Sequence, residues 1–267
     1  MKNKVVVITG ASSGIGKALA GKYATEGWNL ALAARRLDLL QEIEKEYPER
    51  NFLLVKTDVT VEADCKNLID RTIEKFGRID VLINNAGISM RALLENVDLQ
   101  VIRRVMDVNF WGTVYCTKYA LPHLLASKGS LVGVISVGGY VGLPGRSGYS
   151  ASKFAVRGFL DSVRIENRRT GLHVLIAAPG FTTSDIRKNA LLANGSLQGA
   201  TPRDENKMMS AEKCAYYIYR SVKWRRRKLI LTFIQGKATV LVAKLWADLV
   251  DGFIYRTFAK EPDSPLK

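Results

Sequence analysis

Lys4-Val5-Val6-Val7-Ile8-Thr9-Gly10-Ala11-Ser12-Ser13-Gly14-Ile15-Gly16 is the stretch on which the fold turns. Residues 5–8 are apolar and β-branched, the pattern of a strand buried on both faces of a parallel sheet. The run breaks into glycines spaced Gly-x-x-x-Gly-x-Gly, and a helical stretch follows to Glu26. Strand, glycine turn and helix together set backbone N–H groups and a helix N-terminus where a pyrophosphate can sit. The spacing differs from the commoner Gly-x-Gly-x-x-Gly fingerprint. A tight strand-to-helix connection is the other use of such glycines, but their place at the first βα junction favours a dinucleotide.

Working outward, Asn29–Ala34 reads as a second strand and closes on Arg35 and Arg36. A NAD site usually carries an acid about 20 residues beyond the glycines. Two guanidiniums stand in that place here, and they suit a 2′-phosphate, which they can bind bidentately. NADP(H) is therefore expected over NAD, with ordinary surface charge as the alternative. Asp38, close by, fits an early helix position better than a ribose contact.

Further strands are expected at 52–55, 81–83, 131–135, 173–177 and 229–232. Helical patterns fall between them, at 39–46, Glu62–Phe76 and 99–118. Alternation of this kind implies a single doubly wound, Rossmann-type α/β domain. Its parallel sheet has about seven strands with helices on both faces. Ligands of such sheets sit beyond the strand carboxyl ends. Thr57-Asp58-Val59 and Asn84-Asn85-Ala86-Gly87 lie at two of those ends. Asn109 falls inside a helical pattern, where a buried amide must find partners or hold a water.

The chemistry concentrates in residues 136–153. The strand at 131–135 ends at Ser136, a Gly- and Pro-rich loop comes next, and Tyr149-Ser-Ala-Ser-Lys153 opens a helix. Positions four apart share a helix face, so phenol, ammonium and strand-end hydroxyl can converge. That trio supports proton transfer to or from an alcohol or carbonyl oxygen, with Ser136 holding the oxygen. A free tyrosine has a pKa near ~10; an adjacent ammonium is expected to lower it toward working pH. The alternative is a helix-start aromatic beside a solvated lysine.

The bulk composition narrows the class. The chain has 267 residues, which suits one α/β domain, and its 47% hydrophobic content can bury a core. No early stretch has the form of a signal or a membrane span. Cys65, Cys116 and Cys214 are scattered and odd in number, which fits buried, reduced thiols in a cytoplasmic protein and no metal site. His123 and His173 stand alone. The net charge of +15 is concentrated partly in Lys223-Trp-Arg225-Arg226-Arg227-Lys228. No recognition motif accompanies that run, so nucleic acid is not expected as a partner. An anionic membrane surface or a solvated helix end remain open.

Thr9-Gly-Ala-Ser-Ser-Gly-Ile-Gly16, Asn84-Asn-Ala-Gly87, Asn109, Ser136, Tyr149-x-x-x-Lys153 and Pro179-Gly180 occur in order. Over roughly residues 2–231 the chain resembles the short-chain dehydrogenase/reductases, in a branch that prefers NADPH. The resemblance implies hydride exchange between nicotinamide and a carbinol or carbonyl carbon. It makes Tyr149 the general acid/base and Ser136 the substrate-oxygen anchor. Lys153 lowers the phenol's pKa and grips the nicotinamide ribose, and Asn109 holds a proton-relay water. Gly10, Ser12, Ser13, Gly14, Ile15 and Gly16 form the pyrophosphate turn. Asp58 and Val59 meet the adenine, and Asn85, Ala86 and Gly87 flank the adenosine ribose. Pro179, Gly180 and Thr182 meet the nicotinamide. The same resemblance implies at least a homodimer, or a homotetramer, paired through the helices holding Asn109 and Lys153.

The domain organisation implied is a catalytic domain over 1–235 with a substrate lid at 181–209. A C-terminal helical extension of the same domain covers 236–260, as in hydroxysteroid-dehydrogenase-like members. Leu191, Leu192, Leu197, Met208 and Met209 give the lid apolar faces and favour a hydrocarbon-rich substrate. A helix over 237–258 would carry Val242, Leu245, Trp246, Leu249, Val250, Phe253 and Ile254 in one stripe. That stripe and the basic run at 223–228 suit peripheral membrane contact; packing on its own domain or on a partner subunit is the alternative. The last residues read as a frayed terminus. A non-enzymatic NADPH-binding scaffold or redox sensor is the competing function, and the complete Ser136, Tyr149, Lys153 and Asn109 set argues against it.

Overall fold

The computed structural model describes residues 4–202, 204–205, 208–262 and 264–266. Seven parallel strands form one sheet: β1 (Val5–Thr9), β2 (Asn29–Ala34), β3 (Phe52–Lys56), β4 (Val81–Asn84), β5 (Ser130–Val134), β6 (His173–Ala178) and β7 (Lys228–Ile230). Their order is β3-β2-β1-β4-β5-β6-β7, so the expected doubly wound sheet is present. Val7 is in register with Ala31 on one side and Leu82 on the other. Every residue of β1 is buried, which explains why its sequence is a continuous apolar run.

Successive strand residues serve opposite layers, as period-two geometry demands. Val6 and Ile8 pack with Leu19, Tyr23 and Ile218 of α1 (Gly14–Thr25) and a helix at Ala211–Lys223. Val7 packs instead with residues such as Leu68, Leu124 and Leu160, from helices on the other face. Those are α3 (Glu62–Phe76), α5 (Gly112–Ala126) and α6 (Ser147–Glu166); α2 (Leu37–Glu46) lies on the first face. Each fully buried leucine contributes about 1.5–3 kcal/mol, and these two layers hold the strand ends in one plane.

The helical pattern expected at 99–118 runs on to Ala126, and it is not uniform. α4 (Leu99–Met106) and α5 are joined by a π-helical turn, Asp107–Trp111. Single π turns inside α-helices commonly mark functional sites. Asn109 lies in this one. Gly112 comes directly after it, and any Cβ there would come 2.8 Å from Val59 Cβ, so the glycine lets α5 approach the loop after β3.

The C-terminal pattern departs further from expectation. After β7, Thr232 takes φ 65°, a strained setting for a β-branched residue, and the chain turns sharply. A π turn (Phe233–Ala238), the short α8 (Thr239–Val242) and α9 (Ala247–Ala259) complete the chain; the Ala211–Lys223 helix is α7. Trp246 breaks the expected single helix with φ −139° and ψ 74°. The stripe consequently splits. Val250, Ile254 and Phe258 pack on Val137, Val141 and Val240, while Leu245, Trp246 and Leu249 face outward. The described residues of the end, 261–262 and 264–266, are not frayed either: Glu261 and Ser264 are buried. Among the described residues no helix is long and apolar enough to cross a membrane.

Candidate active site

A cleft of about 920 Å³ opens along the carboxyl ends of β1, β2, β4, β5 and β6. One end holds the glycine turn. Gly10 has φ 63°, and a Cβ there would lie 2.7 Å from Ala86 Cα. Gly16 does not line the cleft; its Cβ would strike the Gly10 carbonyl, so it is required for packing beneath the turn. Gly10, Ser12, Ser13, Gly14 and Ile15 all face the cleft.

Thr9 and Asn85 tie this turn to β4, although only Asn85 stood out in the sequence. The Thr9 hydroxyl accepts from the N–H groups of Asn85 and Ala86, both at 3.1 Å. The Asn85 amide donates to the carbonyls of Thr9 at 3.0 Å and Gly10 at 3.1 Å. α1 starts at the turn without a side-chain cap, and no acid occupies its first turn. Its N–H groups and dipole therefore suit an anion. Arg35 and Arg36 are exposed at the end of β2, and an Arg36 amino group lies 3.4 Å from Ser12 Oγ. This uncapped, cationic end fits the phosphates of a nicotinamide dinucleotide. Asp58 and Val59 line the next part of the wall, where the Asp58 carboxylate accepts from Thr60 N–H and hydroxyl at 3.0 and 2.8 Å. Ala86, Gly87, Pro179, Gly180 and Thr182 complete that wall.

The other end of the cleft gathers Ser136, Tyr149 and Lys153. Ser136 caps a short 3₁₀ turn, its Oγ accepting from Gly138 N–H at 3.1 Å. Tyr149 and Lys153, one turn apart on α6, are both buried. Asn109 stands behind the cleft wall rather than in it. Its Oδ1 accepts from Ile88 N–H at 2.8 Å, and its amide hydrogens go to the Ile88 carbonyl at 3.0 Å and Ser152 Oγ at 2.8 Å. Ser152 in turn donates to the Tyr149 carbonyl at 2.7 Å. A Cβ on Gly87 would lie 3.1 Å from Asn109 Oδ1 and 3.3 Å from Lys153 Nζ, so the glycine keeps open the space where the two meet.

Burial governs the electrostatics of this group. Burial dominates at Tyr149 and raises its pKa, against smaller downward effects from the Ser136 hydrogen bond and the guanidiniums of Arg146 and Arg187. Lys153 is tied to the end of β5. Its Nζ is 5.8 Å from the ring centroid and donates to the Val134 carbonyl at 3.1 Å. Burial pushes the Lys153 ammonium itself down to about 8.

Ser152, Thr9, Arg146 and Arg187 thus join the site without having been singled out in the sequence. Only Thr9 carried a signal, as the hydroxyl ending the strand that feeds the turn. The arginines sit in loop segments with no periodicity to place them. Leu191 and Leu197 of the 181–209 segment line the cleft, whereas Met209 packs on the core beneath the sheet. Cys65, Cys116 and Cys214 are buried and unbridged.

A parallel doubly wound sheet with a glycine turn, a half-buried Ser136 and a buried Tyr149 and Lys153 defines a dinucleotide-fold site. A family model described as short chain dehydrogenase matches residues 4–194. The 11-beta-hydroxysteroid dehydrogenase 1A of Arabidopsis thaliana is 43% identical over 187 residues, 68% of this chain and 53% of that protein. The chain thus spans about half the length of such plant relatives. A dehydrogenase/reductase SDR family protein 7-like from Dictyostelium discoideum is 34% identical over 97% of this chain and 82% of its own. Among solved structures, an alcohol dehydrogenase from Thermococcus sibiricus complexed with 5-hydroxy-NADP superposes with a TM-score of 0.77. It is 26% identical, covering 86% of this chain and 96% of that one. A short chain dehydrogenase/reductase from Burkholderia phymatum in complex with NAD shares the fold, with a TM-score of 0.81 at 24% identity over 94% and 95% of the two chains. This chain belongs to the short-chain dehydrogenase/reductase family and is hydroxysteroid-dehydrogenase-like.

The burial of Lys153 makes a spectroscopic prediction. In NMR spectra of isotopically labelled lysine, Lys153 should titrate at about 8, while exposed lysines titrate near ~10.4. A Lys153 midpoint among the exposed lysines would contradict the burial assigned to it.

Proposed function

We propose that the protein is an NADP(H)-dependent oxidoreductase acting on the CH–OH group of an apolar, lipid-like secondary alcohol or on the matching ketone. The observation that carries this reading is Tyr149, buried and hydrogen-bonded to Ser136 in the cleft that the glycine turn also lines. When bound, the nicotinamide supplies or accepts the hydride. The Ser136 hydroxyl holds the carbonyl oxygen. The Tyr149 phenol, kept protonated at neutral pH by burial, delivers its proton to that oxygen as the carbon is reduced, and recovers it in the reverse direction. Lys153 provides a buried donor beside the nicotinamide ribose, and Asn109 holds the loop and helix that position Lys153 and Tyr149.

Support for NADP over NAD comes from Arg35 and Arg36, and from the NADP analogue bound by the Thermococcus relative. Support for an apolar substrate comes from Leu143, Ile186, Leu191, Leu197, Phe253 and Phe258 along the cleft. Residues 1–235 then form the catalytic domain, 181–209 its lid and 236–260 its extension. A scaffold or redox sensor has no use for Ser136 in the cleft beside a buried Tyr149, Lys153 and Asn109, and that reading is not favoured.

A cytoplasmic, membrane-peripheral location fits the tail. Phe233, Ile234, Leu241, Leu245, Trp246 and Leu249 are exposed together with Lys237, Lys244 and Arg256. Apolar side chains with cations nearby suit an anionic lipid surface, and the exposed Asp248 and Asp251 work against it. Homodimer or homotetramer formation through the α5 and α6 faces is supported by exposed Trp111 and Phe154.

Paired variants test the chemistry. Tyr149→Phe should retain NADPH binding and lose about 10²–10⁴-fold in turnover; full turnover would remove Tyr149 from the mechanism. Arg35→Ala with Arg36→Ala should weaken NADPH about tenfold or more and leave NADH nearly unchanged; equal losses would refute the 2′-phosphate assignment. In flotation assays the protein should rise with phosphatidylserine vesicles, less so as Leu245→Glu; identical behaviour of the two would refute membrane contact. Light scattering should give at least twice the 29.6 kDa chain mass; a monomer would refute the assembly.

A further inference from the structure

We propose that Glu261, gripped by Arg91 and Arg146, is a positioning residue that latches the C-terminal tail as a wall of the substrate cavity and so sets the bulk of substrate accepted. The proposal rests on the oxidoreductase reading above. The Glu261 side chain is only 3% exposed, and those of Arg91 and Arg146 are 8% and 11% exposed. One oxygen, Oε2, lies 3.1 Å from Arg146 and 3.6 Å from Arg91. Arg91 also donates to the Pro262 carbonyl, so it holds the backbone of the tail as well as its charge.

Each arginine belongs to a segment that builds the cavity. Arg91 N–H donates to the Leu191 carbonyl at 2.8 Å, beside a bridge between Met90 and Leu191. Arg146 immediately precedes α6, on which Tyr149 lies. Its guanidinium covers the Phe258 ring at 4.6 Å, and Phe258 lies 6.4 Å from Phe181, centroid to centroid. Phe253, Ile254, Thr257 and Phe258 of α9 face the cleft. The tail is therefore joined at one carboxylate to the loop after β4 and to the approach to α6. A buried carboxylate shared by two guanidiniums is sensitive to loss of its charge, whereas a merely packed terminus is not.

The test uses the full chain with NADPH and two ketones, cyclohexanone and a long-chain 3-keto ester. In Glu261→Gln the KM for the keto ester should rise about tenfold, while kcat with cyclohexanone stays within about twofold. Trypsin should cut after Arg256, away from the substituted position, in Glu261→Gln and not in the wild type, and Glu261→Asp should restore protection. Phe258→Ala, which leaves the charges in place, should raise the KM for the keto ester in the same way. A protected tail and an unchanged KM ratio in Glu261→Gln would overturn the latch. Wild-type protein that turned over neither ketone would instead count against the oxidoreductase reading, and trypsin protection would still decide the latch.

Discussion

The Asn109 side chain joins the segments on which the site depends. From a π turn between α4 and α5 it pairs with both the N–H and the carbonyl of Ile88 and donates to Ser152. Ile88 belongs to the loop leaving β4, and Ser152 lies between Tyr149 and Lys153 on α6. A buried amide left without partners is destabilising by about 1–3 kcal/mol per group. The three segments therefore come together at Asn109 or the amide is stranded. The π turn aims the side chain at Ile88 without ending the helix, since one extra residue in the turn rotates α5 relative to α4.

Burial then decides the charge states. The same packing that fixes Tyr149 raises its phenol and lowers the Lys153 ammonium to about 8. At neutral pH the site presents a protonated phenol, an arrangement suited to donating a proton to a carbonyl oxygen. Arg146 and Arg187 act to lower the phenol, against the larger effect of burial. Both arginines are engaged in closing the cavity: Arg146 with Glu261, and Arg187 with the Thr182 carbonyl at 3.1 Å and with Glu205 at 3.4 Å.

Much of this was legible in the sequence because parallel strands buried on both faces leave continuous apolar runs. β1 and β2 could be read from that pattern alone, and the glycine turn from its place between β1 and α1. Tyr149 and Lys153 were legible from their spacing on one helix face. The π turn was not, since its apolar pattern continues that of the flanking helices. The break at Trp246 was hidden for the same reason: no Gly or Pro marks it, so the stripe read as one helix. Glu261 sits in a polar, proline-containing end that resembles a loose terminus, and its burial depends on two arginines far away in the chain. Contacts of that kind are set by tertiary packing and leave no local signal.

The central claim is that the cleft reduces and oxidises an oxygen-bearing carbon of an apolar molecule with NADPH. The most direct measurement is cofactor oxidation by the purified protein against ketones graded from small polar sugars to steroids and long-chain 3-keto lipids, with NADPH and NADH in parallel. The account predicts turnover with the large apolar ketones, faster with NADPH than with NADH. Tight NADPH binding with no turnover of any ketone would contradict it and favour a binding scaffold on the same fold.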